Sequence, residues 1–206
     1  MMRAYDQMFS WPNLLTLVRI SVIPLLIIFF YLPVPWSHLA TTFLFAFASI
    51  TDWLDGYLAR YLKQSTKLGA FLDPVADKLM VSIALVLIVA EPTFRFVKLS
   101  SGVISIPTVL ITIPAAIIVA REIIVSALRE WMADVGKRAS VAVSTLGKIK
   151  TAVQMLALVV LLYCHSTTTP ITLIIIGYLL LYAAAILTVW SMLAYLKTAW
   201  LQLVMD

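Results

Sequence analysis

The sequence predicts an all-α, polytopic membrane protein with six transmembrane helices and a short N-terminal interfacial segment. Two observations lead to this fold class. Of the 206 residues, 63% are hydrophobic and only 12% are charged, and the mean hydropathy is +1.03, which is too apolar for an ordinary soluble domain. Only 6 glycines and 9 prolines interrupt the chain, so long helices are expected.

Six apolar segments can be drawn, each close to the roughly 20 residues that cross a bilayer. They cover residues 12–32, 39–62, 68–90, 106–132, 141–163 and 171–196. No internal repeat or long linker divides the chain, so residues 1–206 are expected to form a single membrane domain. Residues 1–11 lack the apolar core of a cleavable signal peptide and are expected to lie on the membrane surface.

The basic residues predict how the segments are oriented. If the segments alternate in direction, one side of the membrane carries Arg3, Arg60, Lys63, Lys67, Lys137, Arg138 and Lys197. The opposite loops carry only Arg95 and Lys98. The positive-inside rule therefore predicts a multi-pass protein of the cell membrane with both termini in the cytoplasm. A net charge of +5 suits membrane lipids or a phosphorylated ligand, whereas basic residues scattered among apolar runs argue against nucleic acid.

Four aspartates are the feature most in need of an explanation. Asp52 and Asp55 are three residues apart, and Asp73 and Asp77 are four apart, so each pair falls on one face of a helix. A carboxylate inside an apolar segment costs free energy, and four carboxylates together repel one another unless a cation is bound among them. The pattern predicts a divalent metal site at the edge of the bilayer, suited to phosphate chemistry.

Small residues accompany these aspartates on the same helix faces. Gly56 follows Asp52 by one turn, and Gly69 precedes Asp73 by one turn. Small side chains let backbones approach closely and leave room for a nucleotide. Pro74 lies either in the first turn of the third helix or inside a helix that began earlier, and the sequence leaves both open.

The other charged groups inside the segments are expected to share the cytoplasmic depth of the aspartates, which predicts one polar cavity open to the cytoplasm. Arg19 can either bind a ligand or extend its charged end to the membrane surface. The side chains of adjacent Arg121 and Glu122 are expected to diverge rather than neutralise each other. Lys148 and Lys150 are also expected to diverge, so one of them can reach the lipid headgroups instead.

The aspartate motif resembles the signature of the CDP-alcohol phosphotransferase family. It reads D-x-x-D-G-x-x-A-R, eight residues, then G-x-x-x-D-x-x-x-D, and it agrees with the family at all eight defining positions, which are Asp52, Asp55, Gly56, Ala59, Arg60, Gly69, Asp73 and Asp77. Stretches 12–19, 120–124 and 147–151 are similar to the bacterial branch that makes phosphatidylglycerophosphate.

This resemblance implies a metal-dependent enzyme. It would transfer the phosphatidyl group from CDP-diacylglycerol to sn-glycerol 3-phosphate and release CMP. It would use Mg²⁺ or Mn²⁺, with two ions per site, and would work as a homodimer.

The resemblance also implies roles for individual residues. The metal ligands would be Asp52, Asp55, Asp73 and Asp77, and Asp77 would also be the catalytic base. CDP-diacylglycerol would be bound by Asp52, Gly56, Ala59, Arg60 and Gly69. The phosphate of glycerol 3-phosphate would be bound by Arg121, Lys148, Lys150, Thr16 and Arg19.

Two alternatives remain open from the sequence. A sibling transferase with the same aspartates would use another acceptor, such as inositol phosphate or serine. A cation- or proton-coupled transporter would also carry acids inside the membrane. The transporter is the weaker hypothesis, because a transport path places polar groups on both sides of the membrane midplane.

Overall fold

The computed structural model describes residues 11–62, 67–99, 102–134, 145–165 and 169–204. These residues contain six long helices: α1 (Trp11–Tyr31), α2 (Ser37–Leu62), α3 (Lys67–Ala90), α4 (Val109–Asp134), α5 (Thr145–Tyr163) and α6 (Ile171–Val204). Each helix coincides, within a few residues at either end, with an apolar segment drawn from the sequence, except that α6 continues further. The helical fold class is confirmed.

The interfacial segment predicted for residues 1–11 lies outside the described residues, apart from Trp11, which begins α1.

The connection between α3 and α4 contains regular structure that was not predicted. A 3₁₀ helix forms at Pro92–Phe94, where the Glu91 carboxylate accepts the Thr93 backbone N–H at 3.3 Å. An antiparallel hairpin follows, made of β1 (Phe96–Leu99) and β2 (Gly102–Ser105). Proline at the start of a helical turn and a side-chain cap are the usual devices for starting such a turn.

The chain divides into two compact units. The first comprises Met1–Ala90 and Leu162–His165, and the second comprises Glu91–Leu161 and Ser166–Asp206. In the first unit α1 packs against α2 and α3, and in the second α4 packs against α6. The expectation of one domain over residues 1–206 stays a prediction.

The core of the first unit is built from apolar side chains on α1, α2 and α3. Those that are nearly inaccessible to solvent include Leu26, Phe30, Phe45, Met80, Leu85 and Ile88. His38 closes one end of this core, because its ring lies 4.8 Å from that of Phe30 and its Nδ1 donates to the Leu162 carbonyl at 3.2 Å. These contacts give His38 a structural role.

In the second unit, tyrosine hydroxyls on α6 bind backbone carbonyls near the start of the unit. Tyr182 donates to the Leu110 carbonyl at 2.8 Å, and Tyr178 donates to the Phe94 carbonyl at 3.2 Å. Ile111 and Ile118 on α4 and Leu181 on α6 are buried, and they form part of the core of this unit. These contacts fix which face of α6 is turned toward α4.

Within the residues that the structure describes, two helices are long and apolar enough to cross a membrane, at Val109–Asp134 and Ile171–Lys197. The described part of α1 adds a shorter apolar stretch, Thr16–Tyr31. Large apolar side chains also face outward, among them Phe43, Phe71, Val86, Ile123, Leu179 and Ile186. A soluble monomer rarely exposes so much apolar surface, which agrees with a protein that is surrounded by lipid.

Gly177 on α6 lies at a tight contact with α5, and this contact generates a prediction. A methyl group added there would meet Leu161 Cδ2 at 2.5 Å and Cγ at 2.9 Å, and Leu161 is buried. Glycine-to-alanine changes inside helices normally stabilise by up to about 1 kcal/mol. We expect Gly177→Ala to destabilise instead, by about 1–3 kcal/mol, because overpacking outweighs helix propensity.

Thermal unfolding of the purified protein in detergent measures this effect. The matched control is Leu179→Ala on the same helix, where the side chain is exposed and little change is expected. A Gly177→Ala protein that melts at or above the wild-type temperature would show that α5 and α6 do not approach closely at this point.

Candidate active site

Three helices of the first unit bring their polar residues together. α1 contributes Thr16 and Arg19, which are three residues apart and share one helix face. α2 contributes Asp52, and α3 contributes Asp73 and Asp77 one turn apart. The sequence predicted that the aspartates on α2 and α3 converge, and the described ones do so around α1.

Arg19 is the centre of this cluster. Its Nη1 lies 2.6 Å from the Asp52 carboxylate and 3.0 Å from the Asp77 carboxylate. The arginine side chain is fully buried, whereas these two aspartate side chains are 37% and 38% exposed. The guanidinium therefore contacts the two carboxylates from the buried side, and the exposed parts of both carboxylates remain accessible to a ligand.

Of the two alternatives that the sequence left open for Arg19, extension to the membrane surface is wrong, because the guanidinium is buried against two carboxylates. Thr16, also buried, donates its hydroxyl to the Asp73 carboxylate. Both residues were predicted to bind the acceptor's phosphate, and in the first unit their contacts are with aspartates. Charge-assisted bonds of this kind hold the carboxylates in defined positions.

The remaining signature residues are described less fully. Gly69 is buried on α3, one turn before Asp73, and Pro74 lies inside α3 rather than in its first turn. Asp55, Gly56, Ala59 and Arg60 belong to α2, but their side chains lie outside the described part of the structure. Their predicted roles stay predictions.

The donor chemistry of this cluster fits a divalent cation. Carboxylate oxygens are the ligands that Mg²⁺ and Mn²⁺ prefer, and the guanidinium of Arg19 shows that Asp52 and Asp77 can hold one positive charge between them. Among the side chains that the structure describes, no three acidic, histidine or cysteine groups form a ready-made metal cluster. A complete ligand set would need Asp55 or a small rearrangement.

A second charged cluster lies in the second unit, where α4 and α5 meet. One carboxylate oxygen of Glu122 lies 2.5 Å from Lys150 Nζ and 3.2 Å from Arg121 Nη1. Arg121 and Lys150 are buried. The expectation that Arg121 and Glu122 diverge is therefore wrong: their Cβ atoms point apart, but both side chains are long enough for their ends to meet.

Residues of α6 fix the position of Arg121, and the sequence did not single them out. Arg121 Nη2 donates to Ser191 Oγ at 2.9 Å, and Ser191 in turn donates to the Thr188 carbonyl at 2.9 Å. Two turns further along α4, Arg129 donates to the Tyr195 hydroxyl at 3.2 Å and lies over the tyrosine ring.

Helical spacing could have revealed which faces of α4 and α6 carry these polar residues. Arg121 and Arg129 are eight residues apart on α4, and Ser191 and Tyr195 are four apart on α6. Both spacings keep the residues on one helix face. Only the pairing of these two faces had to come from the structure.

The two lysines of α5 differ in their surroundings. Lys150 is buried and paired with Glu122, whereas Lys148 is exposed. The sequence left open which of them reaches the solvent side, and the structure identifies Lys148. Lys150 is therefore the stronger candidate for binding an anion inside the unit.

Comparison with known proteins defines the class. The chain matches the CDP-alcohol phosphatidyltransferase family over residues 9–190, and it belongs to that family.

Three bacterial relatives are named CDP-diacylglycerol–glycerol-3-phosphate 3-phosphatidyltransferase. The protein of Pectobacterium atrosepticum is 52% identical over 93% of this chain and 95% of its own length. The protein of Pseudomonas fluorescens is 51% identical over 95% of this chain and 92% of its own length. The protein of Escherichia coli K12 is 49% identical over 93% of this chain and 95% of its own length.

The ion pairs of Arg19 generate the second prediction. Replacing Arg19 with Met removes the guanidinium and leaves the Asp52 and Asp77 carboxylates to repel each other. We expect the variant to lose about 1–3 kcal/mol of stability in chelator-treated buffer, the usual worth of hydrogen bonds to charged groups. Arg19→Lys, which keeps a positive charge, should lose less.

Thermal unfolding in the same detergent measures both variants, and repeating it with added Mn²⁺ gives a second readout. Mn²⁺ should raise the melting temperature of Arg19→Met more than that of the wild type, because the metal no longer competes with the guanidinium. A Met variant that is as stable as the wild type without metal would show that Arg19 does not balance the aspartates.

Proposed function

We propose that this chain transfers the phosphatidyl group of CDP-diacylglycerol to sn-glycerol 3-phosphate, giving phosphatidylglycerophosphate and CMP in phospholipid biosynthesis. The observation that carries the proposal is the agreement of relatives that are about half identical over more than nine-tenths of the chain. The two charged clusters support it chemically, because one offers carboxylates and the other offers buried cations.

The carboxylate cluster would bind the donor through a divalent cation. Asp52, Asp55, Asp73 and Asp77 would hold Mg²⁺ or Mn²⁺, and two ions per site remain a prediction. When bound, the metal would offset negative charge on the pyrophosphate and on the departing CMP. Gly56, Ala59, Arg60 and Gly69 would line the nucleotide pocket, as the family signature implies.

Asp77 would accept the proton of the attacking hydroxyl. A general base must be ionised and must be held at a fixed position. Arg19 supports the second requirement, because its Nη1 contacts Asp77 at 3.0 Å and Asp52 at 2.6 Å. We therefore assign Arg19 to the positioning of Asp77, in preference to the binding of the acceptor's phosphate.

Arg121 and Lys150 would bind the phosphate of glycerol 3-phosphate. Both are buried cations with a donor geometry that suits phosphate oxygens. An acceptor that lacks phosphate would leave this pair with no partner from the substrate. Lys148, being exposed, would contribute at longer range, and Thr16 would act on Asp73.

The membrane setting is proposed from the sequence and the helices together. In the described part of the chain, two helices are able to span a membrane, and the other four described helices match the remaining predicted segments in place and length. We propose six spans in the cell inner membrane, with both termini and the carboxylates on the cytoplasmic side, and a homodimer as the working assembly.

A direct assay tests the proposed reaction. Purified protein is incubated with CDP-diacylglycerol and Mg²⁺, and CMP release is measured with a panel of acceptors: glycerol 3-phosphate, inositol phosphate, inositol and serine. We expect release only with a divalent cation, and fastest with glycerol 3-phosphate. Full activity in excess chelator, or a clear preference for serine or inositol phosphate, would refute the proposal and favour a sibling transferase or a different mechanism.

Substitution of Asp77 tests the role of the base. Asp77→Asn keeps the size of the side chain but removes the basic carboxylate. Turnover should fall by about 10²–10⁴-fold, the usual contribution of a general base, while binding of CDP-diacylglycerol largely survives. Asp134→Asn, an exposed change on α4, is the control. Near-normal turnover in Asp77→Asn would eliminate this residue as the base.

A further inference from the structure

Among the described residues, Glu122 is the acid that contacts both Arg121 and Lys150 in the buried cluster of the second unit. A single carboxylate oxygen serves both cations, at 2.5 Å from Lys150 and 3.2 Å from Arg121. The cations are buried, with side chains 6% and 8% exposed, whereas the glutamate side chain is 21% exposed. The most accessible member of the cluster is therefore the anion.

Burial explains why such an anion is present. Two buried cations with no counter-charge would repel each other and would lose their hydration, and both effects are unfavourable. The carboxylate of Glu122 offsets this cost while no ligand is bound. A ligand anion that enters the cluster would do the same and would make the glutamate unnecessary.

The hydrogen bonds of Arg121 show that the cluster is only partly satisfied by a carboxylate. Its Nη2 is held by Ser191, and its Nη1 faces Glu122. Its buried Nε has no hydrogen-bond partner among the residues that the structure describes. A phosphate monoester has three terminal oxygens, enough to accept from Nη1 and from Lys150 Nζ at the same time and to leave one oxygen for a further donor.

We propose that Glu122 is an internal substitute for the acceptor's phosphate: it neutralises Arg121 and Lys150 while the site is empty, and the phosphate displaces it. This inference rests on the proposed function for the identity of the phosphate ligand. The anchor on α6 supports the exchange, because Ser191 keeps the guanidinium in place when the carboxylate leaves.

The exchange also gives the site selectivity. A phosphate monoester carries a charge of about −1.5 to −2 at pH 7, so it gains more from the two cations than the single negative charge of Glu122 does. A ligand with only a carboxylate offers no such advantage and would leave the glutamate in place. The acceptor site should therefore discriminate strongly between glycerol 3-phosphate and glycerate.

The test removes the internal anion and measures phosphate binding directly. Glu122→Gln keeps the shape of the side chain and removes its charge. Without ligand the variant should melt at a lower temperature than the wild type, and inorganic phosphate should stabilise it at concentrations roughly tenfold lower. Its KM for glycerol 3-phosphate should fall by a similar factor, while the KM for CDP-diacylglycerol stays unchanged.

Glu130→Gln is the matched control, because Glu130 is an exposed acid on the same helix and its loss should change neither quantity. Should Glu122→Gln fail to fold, Glu122→Asp provides the same test, since a shorter side chain loosens the contact with Lys150 and should also tighten phosphate binding. Weaker or unchanged phosphate binding in the variant that folds would overturn the proposal, because Glu122 would then help to hold the ligand or take no part.

The two readouts separate this inference from the proposed function. Tighter binding of inorganic phosphate by Glu122→Gln, in a protein that releases no CMP with glycerol 3-phosphate, would support the inference and refute the function. CMP release with glycerol 3-phosphate, together with unchanged phosphate binding by Glu122→Gln, would support the function and refute the inference.

Discussion

The buried guanidinium of Arg19 joins the three helices of the first unit, and the arrangement of the carboxylates depends on it. It extends from α1 and contacts Asp52 on α2 and Asp77 on α3. Carboxylates in an apolar surrounding repel one another and cannot be packed together without a positive charge. The same residue that allows this part of the chain to fold therefore prepares a place where cations bind.

The second unit uses the same principle with the signs reversed. There Glu122 allows Arg121 and Lys150 to be buried side by side. In both clusters the internal counter-charge is smaller than the charge that it balances, because one guanidinium faces the carboxylates of Asp52 and Asp77 while one carboxylate faces two cations. The first cluster is left net negative and the second net positive, which suits a metal ion and a phosphate respectively.

The sequence predicted the helices well and the contacts between them poorly. Each apolar segment matches a helix because the length and composition of a segment are properties of the segment alone. The hairpin of β1 and β2 does not follow from the sequence, because each strand has only four residues and lies in the connection between two apolar segments. The surroundings of Arg19 and the contact between Arg121 and Glu122 do not follow from the sequence, because they depend on which helix faces meet and on how far long side chains extend.

Helix α6 is longer than a membrane requires. Its 34 residues span about 51 Å at 1.5 Å per residue, against about 30 Å of hydrocarbon. In a membrane, such a helix either tilts or projects into the headgroups, and its bonds to α4 through Ser191 and Tyr195 make the two helices move together. The depth of the arginine and lysine pair would then follow the thickness of the surrounding bilayer, so lipids with longer or shorter chains should change how readily a water-soluble acceptor reaches it.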